Sequence, residues 1–219
     1  MPHDLPETPP GAHPHAAPHA NMHATSAPQA ALWQDGWLRT ATHCPSPNFG
    51  PRPEGACTDL VVVHSISLPP GIYGTGDVQR LFTNQLDWDA HPYFQSIRGL
   101  QVSSHFFITR QGVVWQFVSA DQRAWHAGQS FWRGRPRCND DSIGIELEGL
   151  EGETFEPAQY ESLVQLCQQI RAQYAIAYIA GHEHIAPGRK NDPGPGFLWP
   201  RLQQDLAWPR SMFPASLGL

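Results

Sequence analysis

Two stretches of this sequence carry side chains of the kind that bind metals. His64 follows the apolar run Leu60-Val61-Val62-Val63, and His182, His184 and Asp192 lie in the run Gly181-His182-Glu183-His184-Ile185-Ala186-Pro187-Gly188-Arg189-Lys190-Asn191-Asp192-Pro193-Gly194. A catalytic zinc takes three nitrogen or oxygen ligands and keeps a fourth position for water. His64, His182 and Asp192 would supply that set. His184 is a rival ligand, because in extended chain a residue two places from His182 faces the same way. Asp192 precedes Pro193, which biases it toward extended backbone, so Lys190 and Asp192 would project to one side. A charged lysine there would not ligate a cation, but it could face an oxyanion that develops during a reaction.

A general base for metal-assisted hydrolysis would come from a carboxylate. Ser142-Ile143-Gly144-Ile145-Glu146-Leu147-Glu148-Gly149 alternates as a strand, with Ile143, Ile145 and Leu147 on one face and Gly144, Glu146 and Glu148 on the other. Both glutamates therefore leave the core together, and alternation alone does not choose between them.

These residues need elements to hold them. Leu60 to His64 reads as a buried strand that delivers a histidine. Gly76-Asp77 before Val78, Leu81, Phe82 and Gln85 predicts a short helix with Asp77 as its cap. Ser103–Thr109 and Val113–Val118, separated by Arg110-Gln111-Gly112, predict a hairpin. Pro157 to Tyr174 predicts the clearest helix, with proline in its first turn and Tyr160, Leu163, Val164, Cys167, Ile170 and Tyr174 as its apolar stripe. Tyr178-Ile179-Ala180-Gly181 is a short strand running into His182. The class expected is mixed α/β: a central mixed sheet flanked by helices, without internal repeats.

The bulk properties narrow the partners. The chain has 219 residues, 40% of them hydrophobic and 16% charged, a composition that fits one globular domain with extra chain at an end. A net charge of −6 and a pI near 6.0 give no basic field for nucleic acid or anionic membrane. No apolar run reaches the roughly 18–20 residues that span a bilayer, and Met1-Pro2-His3-Asp4 does not open a secretory signal. A cytoplasmic location is expected, in which Cys44, Cys57, Cys138 and Cys167 stay reduced. Residues 1–30 hold seven prolines, seven alanines and five histidines with no Lys or Arg, so a disordered tail is expected there, with the folded domain over 31–219. The tail histidines His3, His13, His15, His19 and His23 are too irregularly spaced to be assigned to a site.

Five motifs in order carry a resemblance: His64 within Val62-Val63-His64-Ser65-Ile66-Ser67-Leu68-Pro69-Pro70-Gly71, then Trp125-His126-Ala127-Gly128, Cys138-Asn139-Asp140, Ser142 to Gly149, and Gly181 to Gly194. From about Trp37 to Leu202 the chain resembles the AmpD-type cytoplasmic 1,6-anhydro-N-acetylmuramoyl-L-alanine amidases, in the superfamily of type 2 amidases and peptidoglycan recognition proteins. The resemblance implies zinc on His64, His182 and Asp192, a catalytic acid/base at Glu146, a transition-state lysine at Lys190, and substrate contacts at Arg137 and Ser65. A guanidinium fork such as Arg137 suits a substrate carboxylate. It further implies a small muropeptide as substrate and no obligate protein partner. Glu183-His184 and Gln101 depart from the family pattern, the latter where many members have arginine. His105 and His126 read as structural or pocket-wall histidines, and Trp115, Trp125, Phe131 and Trp132 as candidates to wall a sugar site.

Overall fold

The computed structural model describes residues 32–217. The expected tail over 1–30 lies outside the described residues. A small ribbon of β1 (Trp33–Gln34) and β2 (Trp37–Leu38) leads into β3 (Thr42–His43), and β4 (Phe49–Gly50) precedes the long strand β5 (Leu60–Ile66). Two short helices follow, α1 (Asp77–Phe82) and α2 (Pro92–Ser96), then β6 (Phe106–Ile108), β7 (Val114–Gln116) and β8 (Arg123–Ala124). A second ribbon, β9 (Phe131–Trp132) with β10 (Arg135–Pro136), comes before β11 (Ser142–Glu148), α3 (Pro157–Gln173), β12 (Tyr178–Gly181), α4 (His182–Ile185) and α5 (Trp199–Leu206).

Six of these strands form one mixed sheet in the order β12-β5-β11-β6-β7-β3. The strands β12, β5, β11 and β6 run parallel to one another, and β6 and β7 form the antiparallel hairpin that the sequence predicts. Valine-rich β5 and isoleucine-rich β11 suit the centre of such a sheet, because β-branched side chains pack well on a surface buried on both faces. On one face Val61, Val63, Ile143, Ile145 and Leu147 pack against Leu163, Leu166, Cys167 and Ile170 of α3 and Leu202 of α5. Full burial contributes roughly 1.5–3 kcal/mol for each large aliphatic side chain. The expected stripe of α3 holds at Tyr160, Leu163, Cys167 and Ile170, while Val164 and Tyr174 pack only at its edge.

Gln159 pins α3 to the sheet from within: its amide donates to the carbonyls of Glu148 (3.0 Å) and Ile108 (3.3 Å) and accepts from the Glu156 N–H (3.0 Å). The opposite face of the sheet carries Leu60 and Val62 under Ala127, Cys138 and Ile185, and farther along the same strands it carries polar side chains. Those polar positions lie toward the carboxyl ends of parallel strands, where α/β sheets open into crevices.

Two expectations need correction. Asp77 does not cap α1: Gly76, at φ 78°, occupies the cap position, and Asp77 is the first helical residue, pairing with Arg80 at 2.7 Å. Glu146 and Glu148 share a face as alternation requires, yet neither reaches open solvent, since every residue of β11 is buried. The cause is the central place of β11 between β5 and β6, with loops closing over the polar face.

Candidate active site

His64 sits near the carboxyl end of β5, and His182 opens α4 directly after β12, the neighbour of β5. Strand pairing therefore brings together two histidines 118 positions apart, with their Nδ1 atoms separated by 3.0 Å. Asp192 arrives on the loop after α4, where its carbonyl accepts the Glu183 N–H at 2.9 Å. Its Oδ2 lies 3.1 Å from His64 Nδ1 and 3.2 Å from His182 Nδ1. Where both ring nitrogens present lone pairs, three such atoms in so small a triangle repel one another, and a cation among them relieves the repulsion. Tetrahedral ligation with arms of about 2.0–2.1 Å sets donors about 3.3–3.4 Å apart, so the donor set fits a zinc-sized ion with one side of the triangle facing the cleft.

His184 is not part of this group. Residues 182–185 form a helical turn rather than extended chain, and at about 100° per residue positions 182 and 184 point about 200° apart. The His184 Nδ1 accepts the Gly181 N–H at 3.0 Å and its ring packs edge-on against Trp199.

The structure separates the two glutamates that alternation left equivalent. Glu148 is committed to the fold: its carboxylate accepts the backbone N–H of Gly74 (2.5 Å) and of Arg110 (3.0 Å). Glu146 is 8% exposed, and its Oε2 is buried without a hydrogen-bond partner. Burial, reinforced by the nearby Asp192 charge and opposed by Lys190, pushes its carboxyl well above the usual range. A buried carboxyl raised in this way beside a three-donor cluster is the electrostatic pattern of a proton-transfer site.

These groups line a cleft of about 470 Å³. Its floor includes Glu146, His182 and Asp192; Ser65, Trp125, Arg189 and Lys190 border it; and Tyr93, Ile97 and Leu100 form an apolar side. Ser65 and Lys190 thus line the same cleft as Glu146, His182 and Asp192. Arg137 does not: it lines a separate groove with Arg123 and Asp140 that shares only Trp125 with the main cleft, and its guanidinium is held by Asp140 at 3.1 Å. Of the four aromatic candidates, only Trp125 lines the cleft.

Sequence reasoning missed Arg189 and did not foresee one contact of His126. Arg189 lines the cleft with its guanidinium on the carbonyls of Ala127 (2.7 Å) and Gln129 (2.5 Å), and nothing in the sequence distinguishes it from its neighbour Lys190. His126, read as a structural or pocket-wall residue, does border the cleft, and it also touches a member of the cluster: its Nδ1 lies 2.9 Å from His64 Nε2. Burial, with the His64 and His105 charges adding to it, pushes the His126 ring well below the ordinary histidine range, and His64 is likewise lowered to about 4 by burial and by His182. Both rings are therefore neutral near pH 7.

Comparison with known proteins places the chain among amidases. Residues 54–195 match the family described as N-acetylmuramoyl-L-alanine amidase. A 1,6-anhydro-N-acetylmuramyl-L-alanine amidase AmpD from Enterobacter cloacae is 52% identical over 177 residues, covering 80% of this chain and 95% of that protein. The crystal structure of an AmpD selenomethionine derivative superposes with a TM-score of 0.78 at 47% identity, over 80% of this chain and 99% of that one. An AmiD amidase from E. coli, solved with anhydro-N-acetylmuramic acid-L-Ala-D-gamma-Glu-L-Lys as substrate, superposes with a TM-score of 0.51 at 33% identity, over 70% of this chain and 60% of that one.

Proposed function

Because the chain belongs to the N-acetylmuramoyl-L-alanine amidase family, and within it to the AmpD type, we propose that it hydrolyses the amide joining 1,6-anhydro-N-acetylmuramic acid to L-alanine in a zinc-dependent reaction. The substrate is a muropeptide fragment, and the setting is the recycling of such fragments in the cytoplasm. Residues 31–219 form the zinc amidase domain. The observation that carries the reading is the unpartnered, buried Glu146 carboxyl beside the triangle of His64, His182 and Asp192.

His64, His182 and Asp192 would hold the ion, which when bound supplies Lewis acidity to polarise the amide carbonyl and acidify water. Glu146 takes the proton of the attacking water and then delivers it to the departing alanine nitrogen, two transfers to which a carboxyl with a raised pKa is suited. The Lys190 ammonium, on the cleft border, offsets the negative charge that grows on the carbonyl oxygen. Burial keeps His64 uncharged, so its ring nitrogen stays available as a donor. Arg189 secures the cleft wall through the Ala127 and Gln129 carbonyls, and Ser65 offers a hydroxyl to the substrate at the opposite side. Arg137 would meet a substrate carboxylate only beyond Trp125, in the adjoining groove.

Mass-spectrometric product analysis tests the reading, using anhydro-muramoyl tripeptide and its non-anhydro counterpart, each with and without a chelator. Free tripeptide from the anhydro substrate, abolished by chelation and restored by zinc, is the expected result. Equal cleavage of both substrates would remove the sugar preference; no cleavage by zinc-loaded protein would overturn the reading.

A further inference from the structure

The segment Trp125-His126-Ala127-Gly128 enters the site from behind, and the reaction as described gives it no part. It meets both ligand histidines on their far nitrogens: His64 Nε2 lies 2.9 Å from His126 Nδ1, and His182 Nε2 lies 3.1 Å from the Ala127 carbonyl. One side chain anchors the segment. The Asn139 Oδ1 accepts the N–H of His126 (3.1 Å) and of Ala127 (2.8 Å).

Hydrogen positions along this path follow from its far end. The Ser142 hydroxyl lies 2.5 Å from the Cys138 carbonyl, which only accepts, so the hydroxyl hydrogen points there. The Ser142 oxygen therefore faces His126 Nε2, 3.2 Å away, as an acceptor, and His126 carries its hydrogen on Nε2. His126 Nδ1 is then bare and accepts from His64 Nε2, which leaves the lone pair of His64 Nδ1 turned toward His182 and Asp192. His182 ends in the same state by a shorter route: its Nε2 lies 3.1 Å from the Ala127 carbonyl, which only accepts, and farther, at 3.3 Å, from the Arg189 guanidinium, which already donates to that carbonyl, so Nε2 donates to Ala127.

We infer that His126 and Ala127 are positioning residues, clamped by Asn139, that fix both ligand histidines in the Nε2–H tautomer with Nδ1 presented to the metal. Metal-bound histidines generally need such a partner on the other nitrogen, and its loss typically costs 10–100-fold in affinity. Gly144 supplies the room: a Cβ there would stand 2.5 Å from His126 Cγ and 2.7 Å from its Nδ1. The glycine in the middle of β11 is thus explained by the ring that lies across it.

The inference rests on the zinc reading, and the test keeps the two apart. Zinc affinity is measured by chelator competition for the unmodified protein, His126→Phe, His126→Asn and Ser142→Ala, with near-ultraviolet circular dichroism to confirm the fold of each. One zinc per chain in the unmodified protein tests the metal reading by itself. For the inference, His126→Phe should bind zinc 10–100-fold more weakly. His126→Asn, whose side-chain oxygen restores an acceptor near Nδ1, should recover most of that loss. Ser142→Ala, the mildest change, should weaken binding several-fold and covers the case in which His126→Phe does not fold. Nitrogen-15 spectra of the metal-free protein should show His126 protonated on Nε2. Unchanged affinity in His126→Phe, or a hydrogen on His126 Nδ1, would overturn the inference whatever the metal result.

Discussion

Glu146 and His64 stand opposite each other in the parallel register of β11 and β5, so their side chains leave the same face of the sheet side by side. The proposed base and one proposed ligand are thereby placed by backbone hydrogen bonds of the core rather than by loops. This gives the first prediction. Glu146→Ala keeps its zinc and its fold but turns over about 10²–10⁴-fold more slowly. Single-turnover kinetics with metal content measured in parallel checks it; full turnover in the variant would remove Glu146 from the reaction.

Loss of a ligand should look different. Asp192→Ala and His182→Ala each remove one corner of the triangle, so both should lose zinc by more than the 10–100-fold expected for a supporting residue. Atomic-absorption counts after dialysis against a weak chelator separate this outcome from that of Glu146→Ala.

The raised pKa of Glu146 also bears on stability. Its folded pKa lies above the ordinary carboxyl value of 4.5 because of burial, so its stabilising contribution is present below that pH and is lost as pH rises through the folded value. Metal-free Glu146→Gln should therefore melt higher than the parent at pH 8 and lose that advantage near pH 4. Each kcal/mol gained appears as about 2–4 °C in Tm for a chain of this size. A lower Tm at pH 8 would contradict the account.

Acid has a second target in His105. Burial, with the Arg52 charge adding to it, lowers its pKa from 6.5 to about 3, so the fold gains from a neutral ring above pH 6.5 and loses that gain as pH falls toward 3. Between pH 6.5 and 5 the loss is about 2 kcal/mol. Urea titrations of the metal-free protein at both pH values should show it within a larger loss to which the other buried histidines, His64 and His126 among them, also contribute, and His105→Gln should reduce the difference by its own share.

Packing gives the last prediction. A Cβ on Gly196 would fall 1.8 Å from the Glu153 carbonyl oxygen, against backbone that does not yield easily. Gly196→Ala should destabilise by roughly 1–3 kcal/mol, as overpacking does, and distort the loop that includes Glu151 at the cleft border. Thermal melts and the Michaelis constant report the two effects.

Much of this arrangement was legible in the residues. The run Leu60–Val63 has the β-branched composition of a buried parallel strand, and the stripe of Pro157–Tyr174 has helical period, so the sheet and its main helix could be read. What escaped were relations that no local pattern encodes. The choice of Glu146 over Glu148 depends on Gly74 and Arg110 coming back to occupy Glu148. The exclusion of His184 depends on a single helical turn where extended chain was expected. The role of His126 needs Ser142 and Cys138 behind it and a glycine beneath it. Arg137 was carried by resemblance alone, and here its guanidinium turns to Asp140 in the neighbouring groove.

The pairing of β5 with β12 joins segments more than 110 residues apart in the chain, and His182 follows that pairing immediately. Contacts of such separation are slow to form, since a long loop must be closed before they repay its entropy. The three donors therefore converge only once β12 has joined the sheet. A nascent chain still short of residue 192 has no means of assembling the proposed centre, so any metal that the centre takes is acquired after synthesis has passed the last strand.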